Sequence, residues 1–529
     1  MQLLKTVRIA LLLALLAGWT TVLPQQASAG DDVADLAAEI DRLIAAEWEA
    51  QDVTPAPLAD DAEFLRRVHL DLTGRIPAVA DVRDFLANDS PDKRRDVVER
   101  LLSGPTYIVH YTNLWRAEML PEADSEQLAR VFLPGFEAWL RSRLAENRNY
   151  AEIAEEVLTL PVNQQDVQGF QQSTTPTPVA FYRVKEGKVE NLAAATSRVF
   201  MGVRIEWAQC HDHPFDNWKQ DAFWSYAAFF SEVQPAMPDT PEASADKRSL
   251  TIPGTERTVP ARFLSGEEPD WESASGSNRA ALAKWIASAD NPYFAKAAVN
   301  RMWAHHFGVG LVDPPDDFGP YNPPSHPELL DKLAEKFAAH DFDFKFIIRA
   351  ITASRTYQLT SEQTDESQQT PRTFARMPVR GMRPEQIFDS LAQAVGYQQP
   401  FNPEQPINFN NDQARQEFLD NFQDDSDAPT ERASTILQAL QMMNGTFIDN
   451  ATDLADSQTL AGVIDAPFLD ASGKVETLFL ATLSRPPTDV EREKFVSYVS
   501  SGGASEDEQA ALSDVFWALL NSSEFLLNH

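Results

Sequence analysis

The chain has 529 residues and 43% hydrophobic content, enough for two or three domains with ordinary cores, which excludes a disordered chain. Its formal net charge of −34 describes a surface that repels phosphate backbones and anionic lipid, so nucleic-acid binding is disfavoured. Cys210 is the one cysteine; no internal disulfide can form and stability must come from packing.

The amino terminus carries Lys5 and Arg8, an apolar run from Ile9 to Gly18, and Ala27-Ser28-Ala29. These are the three parts of a signal peptide over residues 1–29, cleaved after Ala29. The run is short for a membrane span, so the expectation is a secreted or periplasmic protein with no transmembrane domain once the leader is removed. An uncleaved anchor is the alternative. Losing Lys5 and Arg8 takes the formal charge from −34 to −36.

Helical periodicity dominates the remainder of the chain. Val33 to Trp48 sets Leu36, Ile40, Leu43 and Ile44 on one face, as an amphipathic helix requires. Further helices are predicted at Phe64 to Leu72, from a Ser90-Pro91 start through Leu102, at Tyr107 to Met119, Gln127 to Glu146, Ala151 to Leu160, Glu190 to Met201 and Trp218 to Phe230. Glu232 to Ser277 shifts to proline, serine, aspartate and threonine; within it Ser249 to Pro260 predicts a hairpin around Pro253-Gly254. Helices resume at Arg279 to Ser288 and Tyr293 to Phe307. Ser325-His326-Pro327-Glu328 and Thr488-Asp489-Val490-Glu491 predict capping boxes for two more. Gln358 to Thr373 and Gly396 to Asn411 read as polar loops. Leu72-Thr73-Gly74-Arg75-Ile76-Pro77 is weakly echoed by Leu483-Ser484-Arg485-Pro486-Pro487, each between two predicted helices. The expected fold is mainly α: two helical domains, 30–235 and 278–529, joined by a linker over 236–277 that holds one short β-hairpin.

Chemistry concentrates at Trp207-Ala208-Gln209-Cys210-His211-Asp212-His213. A C-x-x-C-H motif attaches haem through two thiols and ligates iron through the histidine. Here Cys210 and His211 stand at the second thiol and the iron ligand, while Trp207 stands at the first and cannot form a thioether. The bland reading makes Cys210 a small apolar residue in a site without cofactor. A second constellation is a divalent metal site for zinc or iron, with His211 and His213 as ligands, Asp212 and Asp216 as carboxylates, and His305 or His306 as a third imidazole. Adjacent helical residues lie about 100° apart, so only one of His305 and His306 can face a given site. The competing reading makes these loop residues bonded to backbone, with Asp212 or Asp216 capping the next helix. Asn300 and Arg301 read as structural hydrogen-bonding residues.

Seven stretches then carry a resemblance. Leu70-Asp71-Leu72-Thr73-Gly74-Arg75-Ile76-Pro77, Arg198-Val199-Phe200-Met201-Gly202-Val203 and Ala208 to Asp216 resemble the planctomycete cytochrome-like secreted domain of type two. In the second half, Asn291-Pro292-Tyr293-Phe294, Val299 to Gly308, Asn322 to Leu330 and Ser354-Arg355-Thr356-Tyr357-Gln358 resemble its companion, the planctomycete secreted domain of type one. The resemblance implies export and a cytochrome-like role for the first domain, with activity unassigned in both. The leading expectation is a haem-binding redox or electron-transfer protein at the altered motif, with a redox partner. The alternatives are a metal-dependent hydrolase acting on extracellular polymers and a non-catalytic cell-surface or assembly component.

Overall fold

Apolar residues recurring every three or four positions build most of the chain into helices. The computed structural model describes residues 29–125, 132–162, 175–212, 218–233, 247–272, 277–288, 291–397, 412–421 and 457–529. The predicted leader over residues 1–28, the predicted helical residues 127–131 and the loop residues 398–411 lie outside them. The principal helices before the hairpin are α1 (Ala29–Gln51), α2 (Asp61–Thr73), α3 (Val79–Ala87), α4 (Lys93–Leu102), α5 (Pro105–Met119), α6 (Leu133–Ala145), α7 (Tyr150–Thr159), α8 (Val189–Met201) and α9 (Gln220–Ala227). After it come α10 (Asn278–Ile286), α11 (Phe294–Phe307), α12 (Pro327–Ala339), α13 (Phe344–Ala353), α14 (Pro384–Val395), α15 (Gln413–Asn421), α16 (Gln458–Ile464), α17 (Ala471–Leu483), α18 (Asp489–Ser500) and α19 (Glu508–Leu520). The fold is mainly α, as the periodicity predicts.

The predicted hairpin forms: β1 (Ser249–Thr251) pairs antiparallel with β2 (Thr258–Pro260), Leu250 opposite Val259. Both of those side chains are buried. A second pairing has no local sequence signal. β3 (Arg380–Gly381) pairs antiparallel with β4 (Leu527–Asn528), setting Arg380 opposite Asn528.

Local chemistry accounts for the ends of the helices. Asp60 accepts the Glu63 N–H at 2.8 Å and starts α2, and Gly74 closes it with φ 70°, a conformation that costs little without a Cβ. The echo at Leu483-Ser484 is structural too, since Ser484 closes α17 with φ 62°. Thr488 and Glu491 form the expected capping box on α18. Two expectations need correction. α4 begins at Lys93, two residues after Pro91, because Ser90 Oγ accepts the Asp92 N–H within a preceding turn. No capping box opens α12; His326 precedes it without a side-chain cap, and Ser325 Oγ pairs with His326 Nδ1 at 3.0 Å.

One hydrophobic core gathers residues from both sides of segment 236–277, from Leu36 on α1 to Met377, with Leu480 of α17. Its aromatic centre shows how. Trp115 of α5, Tyr150 of α7, Phe294 of α11 and Phe344 of α13 meet with ring centroids 4.9 Å apart along Trp115–Tyr150, Trp115–Phe344, Tyr150–Phe294 and Tyr150–Phe344, each pair adding about 0.5–1.5 kcal/mol beyond area burial. Buried guanidinium groups cross the same boundary. Arg279 of α10 donates to the carbonyls of Leu158 and Leu160 and to the Tyr182 hydroxyl, and Arg301 of α11 donates to the carbonyls of Val199 and Arg198. A second core is built by α14 to α19 with Phe525 and, from far earlier in the chain, Leu70 and Ile76.

Candidate functional site

Helix α2 lies between the two cores. Successive side chains on a helix are about 100° apart, so Leu72 enters the first core and Leu70 the second; Asp71 falls on the seam. It is buried and saturated with donors. Arg380 reaches Oδ1 at 2.9 Å and Oδ2 at 3.1 Å, the Tyr357 hydroxyl donates to Oδ2 at 2.8 Å, and Asn528 Nδ2 donates to Oδ1 at 2.7 Å. The register of β3 against β4 delivers Arg380 and Asn528 together. Farther back on α2, Arg66 donates to the carbonyls of Thr482 and Phe525, and Arg67 to those of Tyr357, Leu359 and His529. Burial pushes Arg66 down to about 10, which still leaves it charged at neutral pH. These clamps hold the last residues of the chain against α2.

Beside Asp71 the seam opens into a cavity of about 380 Å³, within the range of small-molecule sites. Its wall includes His110 and Glu118 from α5, Arg198 at the end of α8, Arg204, Arg301 and His305 from α11, Asp313 and Asp316, Arg380 and Arg383, and Asn528. Both sides of segment 236–277 and the final strand therefore contribute to one site. Arg204 joins two of the wall loops by pairing with Asp316 at 2.5 Å, and Glu118 lies 3.2 Å from Arg301 Nε.

Two imidazoles occupy the inner wall, with centroids 5.5 Å apart. His305 Nε2 lies 2.8 Å from the Asp71 carbonyl oxygen. A carbonyl oxygen only accepts, so Nε2 carries the proton and Nδ1 holds the lone pair. No described residue bonds that Nδ1. Desolvation, with His306 and His110 adding to it, holds His305 well below the usual imidazole range, so the ring is neutral. His110 is buried and pushed down to about 4, chiefly by desolvation and then by the Arg383 charge; its Nε2 has no hydrogen-bond partner among the described residues. Gly74 makes room for it: a Cβ there would stand 2.4 Å from His110 Nδ1.

The residues singled out from sequence divide between this cavity and an exposed surface outside it. His305 lines the cavity; His306 is fully buried beside it, with Nδ1 on the Met302 carbonyl at 2.7 Å. Trp207, Cys210, His211 and Asp212 do not line it. Cys210 is an exposed free thiol, Trp207 is 65% exposed, and His211 is exposed with Nδ1 2.9 Å from the Asp212 carbonyl. Asp212 Oδ1 accepts the Gln220 N–H at 3.0 Å at the start of α9, the capping role offered as the bland alternative. His213 and Asp216 lie outside the described residues. Among the described residues, no group of three or more His, Cys, Asp or Glu is placed to hold a metal ion. Asn300 and Arg301 make the structural bonds expected of them, Asn300 bridging to Val312 through both N–H and C=O.

Sequence reasoning passes over Asp71, His110, Tyr357, Arg380, Arg383 and Asn528 as site residues. The available signal is Asp71, an acid flanked by Leu70 and Leu72; a buried carboxylate in such a setting needs a partner.

Residues 39–235 match the family described as PSCyt2, protein of unknown function (DUF1549), and residues 278–499 match the family described as PSD1, protein of unknown function (DUF1553). No curated protein and no solved structure matches the chain. The seam cavity draws on both matched segments and on Asn528 beyond them, so the two are parts of one site and not merely neighbours in sequence. The chain belongs to the proteins that join a PSCyt2 domain to a PSD1 domain.

Proposed function

We propose that the protein is an exported hydrolase whose active site is the seam cavity, with His305 as general base. The observation that carries this reading is the His305 ring, fixed by the Asp71 carbonyl so that an unbonded Nδ1 belongs to a cavity wall. A water or substrate hydroxyl within hydrogen-bond reach of Nδ1 can give up its proton there as it attacks. The ring enters the reaction neutral, and negative charge arriving beside it raises its basicity. The arginines on the wall offer donors to an oxyanion. Export rests on the leader pattern of residues 1–29. The test is turnover by the purified mature protein across chromogenic esters, glycosides and phosphoesters, compared with His305→Gln. Loss of a positioned base lowers turnover by about 10²- to 10⁴-fold, with kcat falling more than KM changes. Equal turnover in both proteins, or none on any substrate class, rejects the assignment.

The Cys210-His211 motif supports a second reading, because His211 Nδ1 faces a carbonyl and so leaves Nε2 as the lone-pair nitrogen. Cys210 would hold a haem through one thioether and His211 would ligate its iron, while Trp207 stands where a second thiol would be needed. A haem held there supplies electron transfer at the protein surface. Expression with haem-maturation machinery is expected to give a Soret band and a haem that survives denaturation in the unaltered chain, and to lose the covalent haem in Cys210→Ala. A protein without absorbance in that region ends this reading and leaves the cavity assignment untouched.

A further inference from the structure

We infer that the seam cavity binds its ligand through an oxyanion, a carboxylate or phosphate group, with Arg383 as its recognition residue. The inference rests on the cavity being the active site and adds the chemical class of what it holds. Over the whole chain, acidic residues outnumber basic ones by 79 to 45, yet the cavity wall reverses that balance, with five arginines against four carboxylates and no lysine.

The carboxylates are largely spent. Asp71 already accepts from Arg380, Tyr357 and Asn528, and Asp316 from Arg204. Donors remain in surplus. The half-buried Arg383 guanidinium lines the cavity without an ion pair to any described residue. A planar guanidinium is shaped for two parallel bonds to a carboxylate or phosphate. An arriving oxyanion supplies the acceptors. On a protein of charge −34, such a site also needs local positive charge to overcome long-range repulsion.

Titration calorimetry of the mature protein with inorganic phosphate, citrate and glucose distinguishes the possibilities. Saturable binding of phosphate or citrate at one site, with no binding of glucose, is the expected result; which of the two binds more tightly assigns the phosphate or carboxylate form. Arg383→Gln is expected to weaken binding at least tenfold, about 1.4 kcal/mol, while circular dichroism shows an unchanged fold; Arg383→Lys recovers part of the loss. The proposal is overturned by glucose binding as well as the anions, by no anion binding at all, or by Arg383→Gln binding like the unaltered chain. His305→Gln separates the two claims. Anion binding retained in a protein that turns over no substrate, with or without His305, sinks the base and keeps the anion site; turnover without anion binding does the reverse.

Discussion

Replacing Asp71 by Asn is expected to destabilise the protein by about 3–5 kcal/mol, the cost of removing one partner from a buried ion pair. The amide is nearly the same size, so packing hardly changes. What changes is charge and donor direction. Arg380 is left buried without its counter-charge, and an N–H of the new side chain must face donors from Arg380, Asn528 or Tyr357. Tyr357 can rotate its hydroxyl to accept; the guanidinium cannot. Because a whole domain is stable by only about 5–15 kcal/mol, this loss moves the urea midpoint far enough to read directly. The double variant Asp71→Leu with Arg380→Met removes both charges together. It is expected to recover much of the loss, since an uncompensated charge and not the missing attraction is the main penalty. A single variant within about 1 kcal/mol of the unaltered protein, the range of an exposed pair, contradicts this account.

The same network explains which parts of the molecule are legible in the sequence. Helix positions follow from residues three and four apart, and α1, α5, α7, α8 and α11 appear where periodicity predicts them. The hairpin follows from a local turn signal, as does the capping box at Thr488. The site is legible only at His305, which enters as one of several candidate ligands. Its real partners are set by pairings between Asp71 and residues 286, 309 and 457 positions away, and no local pattern encodes those distances. The Cys210 motif stands out because its spacing is local and familiar. Asp71, which lies between both cores, is one of several polar positions on its helix and carries no spacing that marks it out.

Acid is expected to unfold the protein well above the pH at which its carboxylates titrate, because several histidines are buried in the neutral form. Burial pushes His69 down to about 3 and His110 and His326 down to about 4; His305 and His306 shift in the same direction. Nε2 of His69, His110, His306 and His326 has no hydrogen-bond partner among the described residues, so a proton added there gains no acceptor. An imidazole in the unfolded chain titrates near 6.5. The unfolded state therefore takes up protons below that value while the native state refuses them, and the stability present above about pH 6.5 is lost as pH falls toward 4. Each such histidine removes about 1.4 kcal/mol per pH unit, so His69, His110 and His326 alone remove about 4 kcal/mol per unit once the pH is well below 6.5. Carboxylates held low by ion pairs, such as Glu491 at about 2, act in the same direction but in a lower window. The half-buried Asp389, whose carboxyl is raised by desolvation, opposes them as a single group. Urea titrations between pH 8 and 5 are expected to show constant stability above about pH 7 and a steep fall below 6. His110→Gln, which cannot be protonated, is expected to make that fall shallower by about 1.4 kcal/mol per unit even though it weakens the cavity wall at neutral pH. A stability curve flat from pH 7 to 5 means that these imidazoles take up protons in the folded protein, and the neutral His305 on which the proposed base depends goes with them.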